Sequence, residues 1–219
     1  MGNYIDSHQH FWIFDPVRDS WIDNEMKVIQ RDFLPEDLEP VLDENGFVGC
    51  VAVQASQTEE ENSFLLQLAE EGEIVKGVVG WVDLQSEQLE DRLSFYAERE
   101  KMKGFRHVLQ GETQRDLMLT PAFRRGISKL KAFNFTYDIL IFRDQLNFAS
   151  QLAQEFPDQP FVLDHISKPD IKNQDIKEWE RDIRNLAKAE NVSCKVSGMV
   201  TEADWKHWKP EDFTPYLDV

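Results

Sequence analysis

Cysteine and long apolar runs are the two clearest shortages of this sequence. The chain has 2 cysteines, Cys50 and Cys194, and each lies at the start of an apolar segment. Because no signal-peptide pattern precedes them, we expect reduced, packed thiols in a cytoplasmic protein. Apolar runs such as residues 46–55 are far shorter than the ~20 residues that span a bilayer. We therefore expect neither a secreted protein nor a membrane protein.

Basic residues are also scarce. The sequence has 24 Lys and Arg against 41 Asp and Glu, which gives a net charge of −17. Such a surface repels phosphate backbones and anionic lipids, so nucleic acids and membranes are poor candidates for partners. A small molecule is the expected partner.

Glycine-rich phosphate loops are absent, although the chain alternates strands and helices throughout. It contains no G-x-G-x-x-G and no G-K-[ST] string, which argues against an open nucleotide-binding sheet. Polar residues recur instead at the carboxyl ends of many strands, as in barrel enzymes. We therefore predict an α/β fold of the TIM (β/α)8-barrel type in a single domain of residues 1–219. Seven strands are predicted, at Tyr4–His8, Gly49–Gln54, Gly77–Val82, Gly104–Val108, Thr136–Ile141, Pro160–His165 and Val192–Ser197.

The first strand ends in a pair of histidines, His8 and His10. Residues two apart in a strand project to the same side, so both imidazoles should point together above the barrel core. Imidazole pairs suit zinc or a similar metal, and they also suit proton transfer near neutral pH. An H-x-H string alone leaves a surface or capping role open.

Two further histidines lie at the ends of predicted strands. His107 follows Arg106 at the end of the fourth strand, and His165 closes the sixth. His207 lies away from any strand end, and we interpret it as structural. Core packing does not explain this concentration of histidines, which instead predicts a reaction centre.

Other polar residues fall at the same level of the predicted strands. Gln54 and Lys168 are candidates for substrate binding. Asp138 and Lys195 have two open interpretations, a direct role or a buried ion pair with no chemical role. Ser197 shares the strand face of Lys195.

Three strings together resemble those of the amidohydrolase-2 family. They are DSHQHFW at residues 6–12, GFRH at 104–107 and DHISKP at 164–169. The similarity extends from residue 3 to the last residue, and it is strongest for the lactonase branch. That branch includes L-fuconolactonase, L-rhamnonolactonase and pyrone-dicarboxylate lactonase types.

The resemblance implies a barrel hydrolase that opens a sugar-acid or related lactone. His8, His10 and His165 would line a metal site or a pseudo-metal site. Arg106 and His107 would bind or polarise the carbonyl of the substrate. Members of the branch differ in metal dependence, so the resemblance allows either a divalent metal, with zinc favoured, or a metal-independent reaction.

The family pattern also includes an aspartate on an eighth strand, and no matching string occurs in this sequence. The sequence therefore predicts a barrel truncated before the eighth strand. Three alternatives stay open: a decarboxylase or amide hydrolase of the same fold, an inactive truncated barrel, and a homodimer that exchanges a strand. The choice of lactone is expected to depend on loops at residues 11–40 and 110–119.

Overall fold

The computed structural model describes residues 4–219 of the chain. Its residues form two compact units, Met1–Gly80 and Trp81–Val219. The predicted single domain of residues 1–219 stays a prediction, and residue 3, where the family similarity begins, lies outside the described residues.

The first unit contains three parallel strands that are paired in chain order. Strand β1 pairs with β2, and β2 pairs with β3. The elements are β1 (Tyr4–Gln9), α1 (Pro35–Glu44), β2 (Phe47–Val53), α2 (Glu59–Glu71) and β3 (Val75–Gly80).

The second unit continues the alternation with four more strands. Each of them pairs in parallel with the next one along the chain, from the fourth to the seventh. The elements are α3 (Leu89–Ala97), β4 (Met102–His107), α4 (Pro121–Leu130), β5 (Thr136–Ile139), α5 (Leu146–Glu155), β6 (Phe161–Leu163), α6 (Lys177–Leu186), β7 (Val192–Cys194) and α7 (Thr214–Leu217).

The pairing order identifies the fold class. In both units each new strand lies beside the preceding one, without the reversal of order that characterises a doubly wound sheet. Strands that follow chain order, with helices between them, are the pattern of a (β/α)8 barrel. The predicted α/β fold of TIM-barrel type is confirmed, with seven strands and no eighth strand in residues 4–219.

Local signals explain where several helices begin. Thr120 accepts a hydrogen bond from the backbone N–H of Phe123 at 3.4 Å, and Pro121 occupies the first turn of α4. Pro35 starts α1 in the same way, inside the segment that the sequence predicted to be an elaborated loop. That prediction was wrong for residues 35–40, because a proline is tolerated in the first turn of a helix.

Edge-to-face aromatic contacts fill the core of the second unit. Phe123 contacts Tyr137 with ring centroids 5.9 Å apart, and Tyr137 contacts Phe161 at 6.3 Å. All three side chains are fully buried. They join α4 to β5 and β6 in the interior of the second unit.

Within residues 4–219 no helix combines the length and the apolar character that crossing a bilayer requires.

Candidate active site

His8 in β1 and His10, directly after the strand, form the first part of the site. His8 Nε2 lies 3.1 Å from His10 Nε2, and His10 Nδ1 lies 2.8 Å from the carbonyl oxygen of Val53 in β2. A carbonyl oxygen only accepts hydrogen bonds, so His10 Nδ1 must carry the hydrogen. The lone pair of His10 therefore lies on Nε2, which faces His8.

Asp6 fixes the backbone that carries these two rings. Its carboxylate accepts the backbone N–H of His8 at 3.0 Å and the side-chain amide of Gln9 at 2.6 Å. Both bonds join residues that are close in sequence, so they shape the end of β1 locally. These hydrogen bonds therefore hold the backbone from which the two histidine rings project.

The spacing of the two nitrogens fits a shared cation. Two nitrogens that bind one Zn²⁺ at ~2.0–2.1 Å with tetrahedral geometry lie ~3.3 Å apart. The observed separation of 3.1 Å is close to that value. The donor set therefore fits zinc or a similar borderline metal, which would need further ligands from elsewhere in the chain or from water.

Gln54 lies directly after β2, as the sequence predicted. Its side chain is fully buried, and its backbone N–H donates to the carbonyl oxygen of Val79 at 2.8 Å. The bond continues the pairing of β2 with β3 by one residue. Gln54 is therefore held rigidly at the carboxyl end of its strand.

Glu61 is a residue whose role the sequence did not reveal. The capping threonine, Thr58, accepts the N–H of Glu61 at 3.3 Å, as a capping box predicts. The Glu61 carboxylate does not complete that box and instead accepts the backbone N–H groups of Ala55, at 2.8 Å, and Ser56. It thereby orders the loop that follows β2.

This loop and the segment after β1 line a cavity of about 480 Å³ in the first unit. Trp12, Arg18 and Ser56 are among the lining residues. Arg18 donates two hydrogen bonds to Asp19, at 2.7 and 2.8 Å, and this pairing holds the pKa of the Asp19 carboxyl below its usual value. The cavity therefore combines aromatic side chains with an ion pair.

Four buried charges form the centre of the second unit. Arg106 at the end of β4 donates to Asp164 at 2.9 Å. Lys195 lies 2.5 Å from Asp138 and 3.0 Å from the other oxygen of Asp164. All four residues are buried. Asp138 and Lys195 therefore form a buried ion pair, and a direct role for either residue stays a prediction.

The electrostatics of this network are dominated by burial. Loss of water and the nearby Asp164 carboxylate raise the pKa of Asp138, while the Lys195 ammonium opposes that rise. Two carboxylates are matched by two cations, so the network as a whole is neutral when all four groups are ionised. Such a cluster tolerates the loss of one member poorly.

His165 lies beyond the end of its strand, not within it. Strand β6 ends at Leu163, and a tight turn over Asp164–Ser167 follows, with a left-handed backbone at His165. The predicted strand Pro160–His165 was therefore too long at this end. His165 Nδ1 lies 2.9 Å from the hydroxyl oxygen of Ser197, which follows β7.

His107 and Lys168 occupy the same end of the second unit's strands. His107 Nε2 lies 2.8 Å from Glu112 in the following loop, and the ring is half-buried. Lys168 places its ammonium 5.4 Å from the centroid of the Phe142 ring. Partial burial lowers the pKa of Lys168. His107 is the last residue of β4, as predicted, whereas Lys168 follows the turn after β6. Glu112 is a partner that the sequence did not single out.

Two residues lie outside this arrangement. His207 is largely exposed and pairs with Asp204 three residues earlier, in agreement with a structural interpretation. Cys194 is exposed, so the prediction of two packed thiols was wrong for this cysteine and right for the buried Cys50. Strand β7 ends at Cys194.

Parallel strands in barrel order, with histidines and buried ion pairs at or near their carboxyl ends, are the arrangement of a barrel enzyme. A family profile described as amidohydrolase matches residues 5–219. The chain belongs to this amidohydrolase family.

The similar proteins include two lactonases and a solved structure. An L-fucono-1,5-lactonase of Burkholderia multivorans is 38% identical over 208 residues, which cover 92% of this chain and 70% of the relative. An L-fucono-1,5-lactonase of Burkholderia ambifaria is 35% identical and covers 91% and 69%. A zinc-bound crystal structure of a Burkholderia multivorans amidohydrolase matches with a TM-score of 0.93 at 36% identity, covering 99% of this chain and 78% of that one.

Proposed function

We propose that this chain hydrolyses the ester bond of a sugar-acid lactone to give the open hydroxy acid. The observation that carries the proposal is the pair of histidine nitrogens on β1, 3.1 Å apart, with the tautomer of His10 fixed by a backbone carbonyl. The names of the two lactonase relatives support L-fucono-1,5-lactone or a close analogue as the substrate.

We assign His8, His10 and His165 to the site of a divalent metal, with zinc favoured by the zinc-bound relative. A bound metal would supply a Lewis acid that polarises the lactone carbonyl or a bound water. The 3.1 Å between His8 Nε2 and His10 Nε2 supports this assignment because it is close to the spacing of two nitrogens on one cation. His165 would join them as the third imidazole.

The remaining residues would bind and orient the substrate. Arg106 and His107 end the same strand, and they are proposed to face the carbonyl and to stabilise its developing negative charge. The hydrogen bond that Glu112 accepts from His107 Nε2 would orient the ring for this role. Gln54 and Lys168 are proposed to bind the hydroxyl groups of the sugar acid.

The proposed reaction has a simple balance. The oxygen of one water molecule forms a bond to the acyl carbon, and the ester bond to the ring oxygen breaks. The ring oxygen leaves with one proton as a hydroxyl group. The new carboxylic acid ionises at neutral pH and releases one proton per turnover, which a pH indicator detects.

The test measures proton release with a panel of aldonolactones and, separately, with aromatic acids and amides. We expect turnover of 1,5-lactones, its loss on chelation and its return with Zn²⁺. Turnover of the amides alone would establish an amide hydrolase. Turnover of the aromatic acids alone, followed as CO₂ release, would establish a decarboxylase. Binding of a lactone without turnover would show a ligand-binding barrel. Each of these three results overturns the proposal.

A matched pair of variants tests the site. His10→Asn should lower kcat/KM by ~10²-fold or more, as expected for the loss of a group that acts at the reacting centre. His207→Asn makes the same change at an exposed histidine away from the strand ends and should leave activity unchanged. Equal activity in both variants would contradict the assignment of His10.

A reducing compartment such as the cytoplasm is proposed for the protein. Both cysteines are free thiols, and Cys50 is buried in β2. Oxidising compartments favour disulfides in place of free thiols. Fractionation of expressing cells tests this proposal, and recovery of the protein from an oxidising compartment would contradict it.

A further inference from the structure

The turn that carries His165 has an unusual backbone. His165, Ile166, Ser167 and Lys168 all have positive φ, between 45° and 58°. This region is sparsely populated for residues other than glycine, and a β-branched residue such as Ile166 is a clear outlier there. Backbone of this kind persists only where the surrounding structure holds it in place.

Neighbouring elements hold the turn through Ile166. The backbone N–H of Ile166 donates to the carbonyl oxygen of Lys195 at 3.2 Å. The indole N–H of Trp179 in α6 donates to the carbonyl oxygen of Ile166 at 2.7 Å. Both backbone groups of this one residue are therefore tied to other elements, so the position of the His165 backbone is fixed.

The segment after β7 fixes the ring of His165 as well. Ser197 Oγ lies 2.9 Å from His165 Nδ1. The next residue, Gly198, has φ of +67°, and a Cβ at this position would lie 2.9 Å from both Cγ and Nδ1 of His165. Real Cβ atoms do not approach other atoms so closely, so any side chain here would displace the ring or the segment.

We propose that Ser197 and Gly198 are positioning residues for His165, a proposal that rests on the proposed function of this histidine at the metal site. Ser197 Oγ accepts the hydrogen of Nδ1 and so selects the tautomer whose lone pair lies on Nε2. Because Gly198 has no side chain, the His165 ring can adopt the orientation that this hydrogen bond requires. Ligating histidines commonly donate their other ring N–H to a neighbouring acceptor in this way.

The first test reads the tautomer directly and needs neither metal nor turnover. Long-range ¹H–¹⁵N spectra of the metal-free chain should show the Nδ1–H form of His165 in the wild type. Ser197→Ala should shift the ring toward a mixture of tautomers, whereas Ser193→Ala, a change at an exposed serine of β7, should not. An Nε2–H form in the wild type would overturn the proposal, as would an unchanged spectrum in Ser197→Ala.

The second test separates the steric role of Gly198 from its backbone conformation. Gly198→Ala should weaken Zn²⁺ binding, measured by calorimetry, by ~10–100-fold, the usual effect of disturbing the partner of a metal ligand. Gly46→Ala is the control, because Gly46 also has positive φ, +76°, but has no atom within 4 Å of its Cβ position. Equal loss of zinc affinity in both variants would overturn the proposal.

These readouts distinguish failure of the positioning role from failure of the proposed function. A wild-type chain without lactone turnover but with a serine-dependent tautomer would remove the function and leave the positioning role intact. In an active chain, Ser197→Ala should lower kcat by ~10-fold with little change in KM, since the serine does not contact substrate. A rise in KM alone would place Ser197 in substrate binding and would overturn its positioning role.

Discussion

Replacement of Lys195 by methionine would leave an uncompensated charge in the interior of the second unit. The ammonium of Lys195 lies 2.5 Å from Asp138 and 3.0 Å from Asp164, and the guanidinium of Arg106 donates to Asp164 at 2.9 Å. Without Lys195, one guanidinium faces two buried carboxylates. Breaking a buried ion pair on one side costs about 3–5 kcal/mol in the free energy of unfolding. For a chain of this size, ~2–4 °C per kcal/mol corresponds to a fall in Tm of ~6–20 °C.

The pH dependence of this loss has a definite sign. Burial and Asp164 raise the pKa of Asp138, and Lys195 is the first of the groups that lower it. Removal of Lys195 must therefore raise the folded-state pKa further above the unfolded value. A carboxyl of this kind destabilises the fold when it is ionised, so stability returns as the pH falls through its folded-state pKa. The difference in Tm between wild type and Lys195→Met should shrink between pH 8 and pH 5.

Thermal unfolding followed by circular dichroism at several pH values measures the effect. The double variant Lys195→Met with Asp138→Asn restores charge balance, and it should recover about half of the lost stability or more. Lys188→Met, a change at an exposed lysine, should alter the free energy of unfolding by less than ~0.5 kcal/mol. A deficit that is the same at every pH and is not rescued by the second change would refute the charge-balance reasoning.

Three further predictions concern other parts of the chain. Burial raises the pKa of Cys50 to about 12, so at pH 7.5 its thiol should resist alkylation in the folded protein and react once urea unfolds the chain. Rapid labelling of Cys50 in the native protein, measured by mass spectrometry, would contradict this. Glu61→Ala removes the acceptor of two backbone N–H groups in the loop after β2 and should cost about 1–2 kcal/mol, measured by denaturant unfolding, whereas exposed Glu60→Ala should cost little. Glu180→Ala breaks an exposed pair with Arg184 and should change stability by less than ~0.5 kcal/mol, so a drop in Tm beyond ~3 °C would show that this surface pair matters more than expected.

The strand framework could be predicted from the sequence because it depends on local patterns. Apolar runs located all seven strands within a few residues of their ends, and the parallel order follows from the helices between them. The proximity of His8 and His10 was equally accessible, because residues two apart in a strand share a face. These inferences need no knowledge of distant contacts.

The contacts of the site residues could not be predicted in the same way. The partner of Arg106 is Asp164, 58 residues later, and no local pattern pairs them. The turn at His165 depends on Trp179 and on the carbonyl group of Lys195, so the apolar run before it wrongly predicted a continuing strand. Tertiary contacts decide such features, and a single sequence does not display them.

The chain places Asp164 and His165 side by side, one in the buried charge network and the other beside Ser197. A substitution that moves His165 should therefore also displace Asp164, because one peptide bond joins the two residues. Asp164 belongs to the ion network in the interior. Trp12 and Ser56 line the cavity of the first unit and are not members of this charge network. We therefore expect laboratory evolution for a new substrate to accumulate substitutions at these cavity-lining residues and to leave residues 164–168 unchanged.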